Sequence, residues 1–216
     1  MKIGVIFFHK NILSIYKDRW IKKCITSIID QTYKDFFIYE VNYGGDDFSI
    51  LTGFNVENNK FYKENFENYA EAMNFIITKA FNDGCDYVFN TNLDDFYDKS
   101  RIEKQIKLLD YGFDVVSSDF CYIKDIEDED VIIHHMNIKK HGDIKFNLLK
   151  NHNVIAHPCV AVNKNFWDNN KYDTSKVPEE DLHLWKNTIK NGFKFFIHDE
   201  ELLFYRIHEN QVSSKK

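Results

Sequence analysis

Two adjacent carboxylates, Asp94 and Asp95, close the segment Asn92-Leu93-Asp94-Asp95, directly after the run Asp86 to Asn90. If that run is a strand, its end holds both side chains at the rim of a sheet. Such a pair offers hard oxygen ligands to Mg2+ or Mn2+, ions that keep positions open for water and substrate phosphates. A cation held there neutralises a departing diphosphate. Taken alone, the pair is equally the vocabulary of loops and helix caps. A second acidic group, Glu179-Glu180-Asp181, follows Pro178. A carboxylate there can serve as a general base, but acidic residues at a helix start are also favoured by the helix dipole. Local physics leaves the two readings even.

Other candidates are weaker. Of the nine histidines, His134 and His135 are adjacent in an apolar run. On a strand their side chains point to opposite faces and cannot chelate one ion together. Arginine occurs only at Arg19, Arg101 and Arg206; a planar fork at any of them would suit phosphate, although a surface role is the simpler reading of each alone. Trp167 and Trp185 have faces that can stack on a sugar, with core packing the stronger expectation.

These residues must be positioned by a regular scaffold, and the pattern for one is present. Short apolar runs alternate with segments of helical period, which predicts an α/β fold with a mostly parallel sheet flanked by helices. Strands are expected over Ile3 to Phe8, Phe36 to Val41, Asp86 to Asn90 and Val115 to Ser118. Helices are expected over Trp20 to Asp30 and Tyr69 to Phe81, and Ser100-Arg101-Ile102-Glu103 reads as a capping box opening a third. The acidic run Asp125 to Asp130 reads as a solvated loop. Beyond it, strands are expected over Val131 to Met136, Ala156 to Val162, Phe193 to Ile197 and Leu202 to Tyr205. Helices are expected near Ile144 to Lys150 and over Glu179 to Lys190. Right-handed crossovers would bring the strand ends to one rim, where ligands of open α/β sheets bind.

The chain has 216 residues, enough for one well-buried core, and its two prolines and scattered glycines mark no linker. A single domain over 1–216 is expected. A net charge of −6 excludes an extended nucleic-acid surface. Four dispersed cysteines form no CxxC pair and suggest free buried thiols. The N-terminus lacks the apolar run of a signal peptide, and no stretch of about 18 apolar residues could span a membrane. The expectation is a soluble, cytoplasmic protein.

The segment Ser27-Ile28-Ile29-Asp30-Gln31-Thr32-Tyr33-Lys34-Asp35-Phe36 resembles the family 2 glycosyltransferases of the GT-A (Rossmann-like) fold. Asn92-Leu93-Asp94-Asp95 with Arg101-Ile102-Glu103-Lys104-Gln105 is similar to the family's DxD region and the helix after it. Ala156-His157-Pro158 resembles the segment before the acceptor side, and Glu180-Asp181 with Leu184-Trp185 the family's ED motif. Tyr205-Arg206-Ile207-His208, with Gln211 and Ser213, resembles the closing tail. The matches occur in the family's order along nearly the whole chain.

The resemblance implies an inverting, hexosyltransferase-like enzyme that moves a sugar from a nucleotide-diphosphate donor, UDP-sugar first among them, to a glycan or other hydroxyl acceptor. Residues 1–100 would bind the donor and 101–216 the acceptor. Asp94, Asp95 and His208 would hold Mn2+ or Mg2+. Asn42, Tyr43, Asp94 and Arg206 would contact the nucleotide, His157 and Glu180 the acceptor, and Asp181 would be the base. The chain also departs from the family. Asn42-Tyr43-Gly44-Gly45, followed by Asp46-Asp47, stands where an Asp-Asp-Gly-Ser-like turn usually grips the nucleoside; Asn42 would hydrogen-bond the base and Tyr43 stack on it. Asn92 replaces the first Asp of the DxD motif, and Met73 replaces an Arg before Asn74. These departures motivate a rival reading, a non-catalytic sugar- or nucleotide-binding member of the fold. A nucleotidyltransferase would need a glycine- and arginine-rich phosphate loop near the N-terminus, which His9-Lys10-Asn11 is not.

Overall fold

A computed structural model describes residues 1–45, 47–137 and 143–211; Asp46 and Ser213 lie outside the described residues. The chain opens with β1 (Ile3–His9), in which every residue except Phe8 is buried, the pattern of a strand covered on both faces. A single helical turn, α1 (Ile12–Ile15), leads into α2 (Asp18–Ile29), whose Trp20, Ile21, Cys24, Ile25 and Ile28 face inward. Next come β2 (Phe36–Asn42) and β3 (Asn59–Lys63). Helix α3 (Tyr69–Asn82) starts where the Asn68 side chain accepts the backbone N–H groups of Ala70 and Glu71. Then follow β4 (Tyr87–Phe89), the short β5 (Phe96–Tyr97) and α4 (Arg101–Asp110). The second half comprises β6 (Val115–Ile126), β7 (Glu129–His135), α5 (Ile144–Leu149), β8 (Ala161–Asn163), α6 (Lys164–Asn169), α7 (Glu180–Lys190) and β9 (Phe195–Arg206).

One sheet runs through both halves in the order β3-β2-β1-β4-β8-β6-β9-β5, with β7 added to β6. Strands β3, β2, β1 and β4 are mutually parallel; β8 enters antiparallel between β4 and β6. This is the expected mixed, mostly parallel sheet. Its two faces carry separate cores. On one, Ile21, Ile25 and Ile28 of α2 and Ile102 and Ile106 of α4 pack against the strands. On the other, Met73, Ile76 and Ile77 of α3 meet Trp167 and Trp185. Both tryptophans are core residues, as periodicity suggested. All four cysteines are free and buried. Among the described residues no helix is long and apolar enough to cross a membrane.

Several local expectations are corrected. Strand β3 was not anticipated, because its Asn-Lys-Phe-Tyr-Lys sequence is that of an edge with alternating exposed residues. The capping box does not form: Ser100 Oγ turns to Asp98, and Glu103 accepts from Thr32 and Lys107. The expected strand Ala156 to Val162 begins as a 3-10 turn, His157–Cys159, around Pro158. The two short strands at the end are one, β9, because both parts extend along β6.

The largest correction concerns Asp125 to Asp130. This is a β-hairpin, with Glu127 and Asp128 at φ 51° and 64°, the left-handed pair that a tight two-residue turn requires. Asp125 accepts from Trp20 Nε1 at 2.7 Å and pairs with Lys17 at 3.0 Å and Arg19 at 2.5 Å. Burial alone would raise its carboxyl, but these hydrogen bonds outweigh it and bring the group down to about 2. Asp130, whose side chain is 4% exposed, pairs with Lys23 at 2.5 Å and with the guanidinium of Arg206. Removing one partner strands the other charge out of water. Asp130→Ala should therefore cost about 3–5 kcal/mol of stability, read as a lower urea midpoint with unchanged slope. An unchanged midpoint would show that the pair contributes nothing net.

Candidate active site

The strand ends of the first half open onto a cavity of about 920 Å³. Its first wall comes from the end of β1, where His9 and Lys10 stand beside Tyr43, the residue after β2. Gly44 and Gly45 let the chain turn here: both have positive φ, and a side chain on Gly45 would collide with Asn11. Tyr43 is largely shielded, and burial pushes its phenol up to about 12, so the ring presents a neutral face. Lys10 Nζ lies 5.8 Å from that ring centroid, a cation–π distance. Met73 of α3 continues this wall.

The turn after β4 supplies the second wall, with Asn92, Leu93 and Asp94 lining the cavity. The two carboxylates of the turn divide. Asp94 Oδ2 lies 3.0 Å from His208 Nε2. Asp95 sits behind it, 2% exposed, with Oδ1 accepting the backbone N–H of Arg206 at 2.8 Å. Its Oδ2 is buried without a partner among the described residues. Burial first and the Asp94 charge second hold the Asp95 carboxyl well above the usual range, against the opposing Arg206 and Arg101. Two crowded acids with an unpaired buried oxygen form the setting that a divalent cation relieves. Among the described residues no group of three His, Cys, Asp or Glu side chains is arranged to hold a metal. Mg2+ and Mn2+ need no such cage when substrate phosphates and water complete their shell.

The third wall belongs to the second half. His157 and the first turn of α7, with Glu180 and Asp181, line the cavity. Glu180 is buried and accepts the Tyr69 hydroxyl at 2.9 Å. Asp181 is less enclosed, and its Oδ2 accepts Asn153 Nδ2 at 2.7 Å. His157 Nε2 is 2.9 Å from the Tyr172 hydroxyl and 3.3 Å from Asn90 Nδ2. Burial lowers its pKa, opposed by the Asp181 charge.

Tyr43, Asp94, His157, Glu180 and Asp181 thus line one cavity, as anticipated. Two expected ligand contacts are corrected. Asn42 is fully buried and its Oδ1 accepts Gly44 N at 3.0 Å, so it shapes the turn behind the wall. Arg206 is also fully buried: its Nε donates to Asp94 O at 2.7 Å, and its guanidinium lies 4.6 Å from the Trp20 ring centroid. It braces the Asp94-Asp95 turn from below instead of reaching the cavity. His208 is held by Tyr16 and Trp20, with ring centroids at 5.5 and 5.1 Å. Gln211 secures this tail by donating to Arg206 O and accepting from His208 N. Sequence reasoning passed over His9 and Lys10 as cavity residues, since neither belongs to a motif that marks them. The one available signal was their place at the end of the first buried strand.

The same chain is similar to known proteins along most of its length. Residues 12–169 match the model of the family described as glycosyl transferase family 2. An uncharacterised glycosyltransferase of Methanocaldococcus jannaschii is 27% identical over 92% of this chain and 70% of the relative. The O-antigen biosynthesis glycosyltransferase WbnJ of Escherichia coli is 26% identical over 98% of this chain and 84% of the relative. Among solved structures, TarS of S. aureus superposes with a TM-score of 0.69 at 14% identity, over 97% of this chain and 62% of that one. A mannosyltransferase of Pyrobaculum calidifontis, solved with GDP-Man and Mn2+, gives 0.68 at 12% identity, over 94% of this chain and 56% of that one. The chain therefore spans less than two thirds of either solved neighbour, and at these identities the likeness is one of fold. With the family match covering most of the chain, and the expected segments gathered at one cavity, this protein belongs to glycosyltransferase family 2 and is a GT-A-fold enzyme.

Proposed function

We propose that the protein transfers a sugar from a nucleotide-diphosphate donor to an acceptor hydroxyl with inversion at the anomeric carbon. One observation carries this reading: Asp94, from a strand-end turn of the first half, and Asp181, from a helix start of the second, line the same cavity. Residues 1–100 then supply the donor side and residues 101–216 most of the acceptor side, with the tail after β9 returning to the donor side through His208. TarS has also been solved with UDP, and the Pyrobaculum enzyme with GDP-Man and Mn2+. Those ligands support a nucleotide-sugar donor here, a UDP-sugar foremost.

Asp94 and Asp95, with His208 beside them, are the residues that would hold Mn2+ or Mg2+. When bound, the ion would neutralise charge on the departing diphosphate. Arg206 and Arg101 keep the turn in place; Tyr43 offers a stacking face, and Lys10 a cation where the usual Arg is replaced by Met73. On the opposite side Asp181 takes the proton of the acceptor hydroxyl as its oxygen bonds to the anomeric carbon and the bond to the diphosphate breaks. Asn153 holds that carboxylate, while Glu180 and His157 orient the acceptor. The reading is tested by titrating nucleotide sugars with Mn2+ and following donor hydrolysis. Metal-dependent binding or turnover of at least one donor is expected; neither with any donor overturns the proposal.

A further inference from the structure

Glu40 has no part in the mechanism above, yet it is a fully buried acid in the middle of the sheet. Three donors meet its carboxylate: His9 Nε2 at 2.8 Å, Ser49 Oγ at 2.6 Å and Ile50 N at 2.8 Å. The bonds tie the end of β1 to the connection between β2 and β3. His9 is held a second time, its carbonyl accepting Tyr43 N at 2.9 Å. The ring cannot turn away without stripping a buried carboxylate of a donor.

His9 is also a wall of the cavity. It is 3% exposed, and its Nδ1 is buried without a partner among the described residues. Since a carboxylate only accepts, the proton between the pair belongs to Nε2, and the neutral ring presents Nδ1 as a lone pair. Tyr43 and Lys10 stand on the same wall. The combination is an aromatic face beside a fixed hydrogen-bond acceptor, which suits a flat heterocycle carrying an N–H.

We propose that His9, oriented by Glu40, reads the nucleobase of the donor, with Nδ1 accepting the ring N–H of uracil or guanine. The inference rests on the nucleotide-sugar reading above and deepens it. It supplies a base contact on a wall from which Asn42 is withdrawn. Cytosine and adenine present a bare ring nitrogen at the corresponding edge, so their lone pair would face that of His9. A site built to receive an N–H rejects analogues lacking it, because its own buried group is then left unpaired.

The test is a titration of the intact protein, in Mn2+, with UDP, GDP, CDP and ADP. UDP or GDP is expected to bind at least about tenfold more tightly than CDP and ADP. For the better ligand, methylation of the ring nitrogen (N3-methyl-UDP or 1-methyl-GDP) should lose about the same factor. His9→Phe should erase both differences. The methylated analogues act on the wild-type protein, so the test survives if the variant does not fold. If UDP or GDP binds but its methylated analogue binds equally, or CDP or ADP binds as well, the His9 assignment falls while the donor reading stands. Binding of none of the four overturns both.

Discussion

Asp94→Asn is expected to remove Mn2+-dependent donor binding and to lower kcat/KM by at least about a hundredfold, the scale of losing one electrostatic contact to a developing charge. The substitution is nearly isosteric and strips the charge from the one carboxylate of the turn that reaches the cavity. It leaves the Asp94 carbonyl, which Arg206 Nε uses, in place. The fold should survive, and unchanged thermal stability without the metal is part of the prediction. Asp95 would be a poorer probe. Its carboxylate is buried and accepts the Arg206 backbone N–H, so truncating it would leave a buried donor unpaired and cost stability as well as function. Full metal-dependent binding by the Asp94→Asn protein would move the site away from this turn.

Asp181→Asn should separate binding from chemistry. The donor side of the cavity is untouched, so affinity for the nucleotide sugar should stay within about twofold of wild type. Transfer should fall by about a hundredfold to ten-thousandfold, the usual worth of a positioned general base. Asn at this position can still accept from Asn153 through its carbonyl oxygen and can sit in the first turn of α7, so a structural role alone predicts little change. Measuring kcat separately from donor Kd decides between the two. Transfer at the wild-type rate removes Asp181 from the role of base.

The legible part of this protein was the part governed by short-range pattern. Ile21, Ile25 and Ile28 at helical spacing, and the unbroken apolar run of β1, are forced to the interior whatever lies beyond them. The order of the resembling segments then indicated the fold, and Asp94, His157, Glu180 and Asp181 with them. The acidic hairpin was illegible for a different reason. Its charges read as solvated until Lys17, Arg19, Lys23 and Arg206 arrive from α2 and the tail. The capping box failed similarly, since Thr32 and Lys107 took Glu103 before its own helix start could.

By itself, then, the sequence determined a parallel α/β scaffold, two acidic positions at its rim and the family in which such segments recur. Tertiary structure alone decided how each polar residue is used. It split Asp94 from Asp95 into a cavity carboxylate and a buried brace, withdrew Asn42 and Arg206 behind the wall, and placed His9 on it. The physical reason is that burying a charge or a polar nitrogen is tolerable only where distant partners satisfy it. Those partners lie on other elements, at separations that no local pattern encodes: Glu40 for His9, and Asp130 with the carbonyl of Asp94 for Arg206.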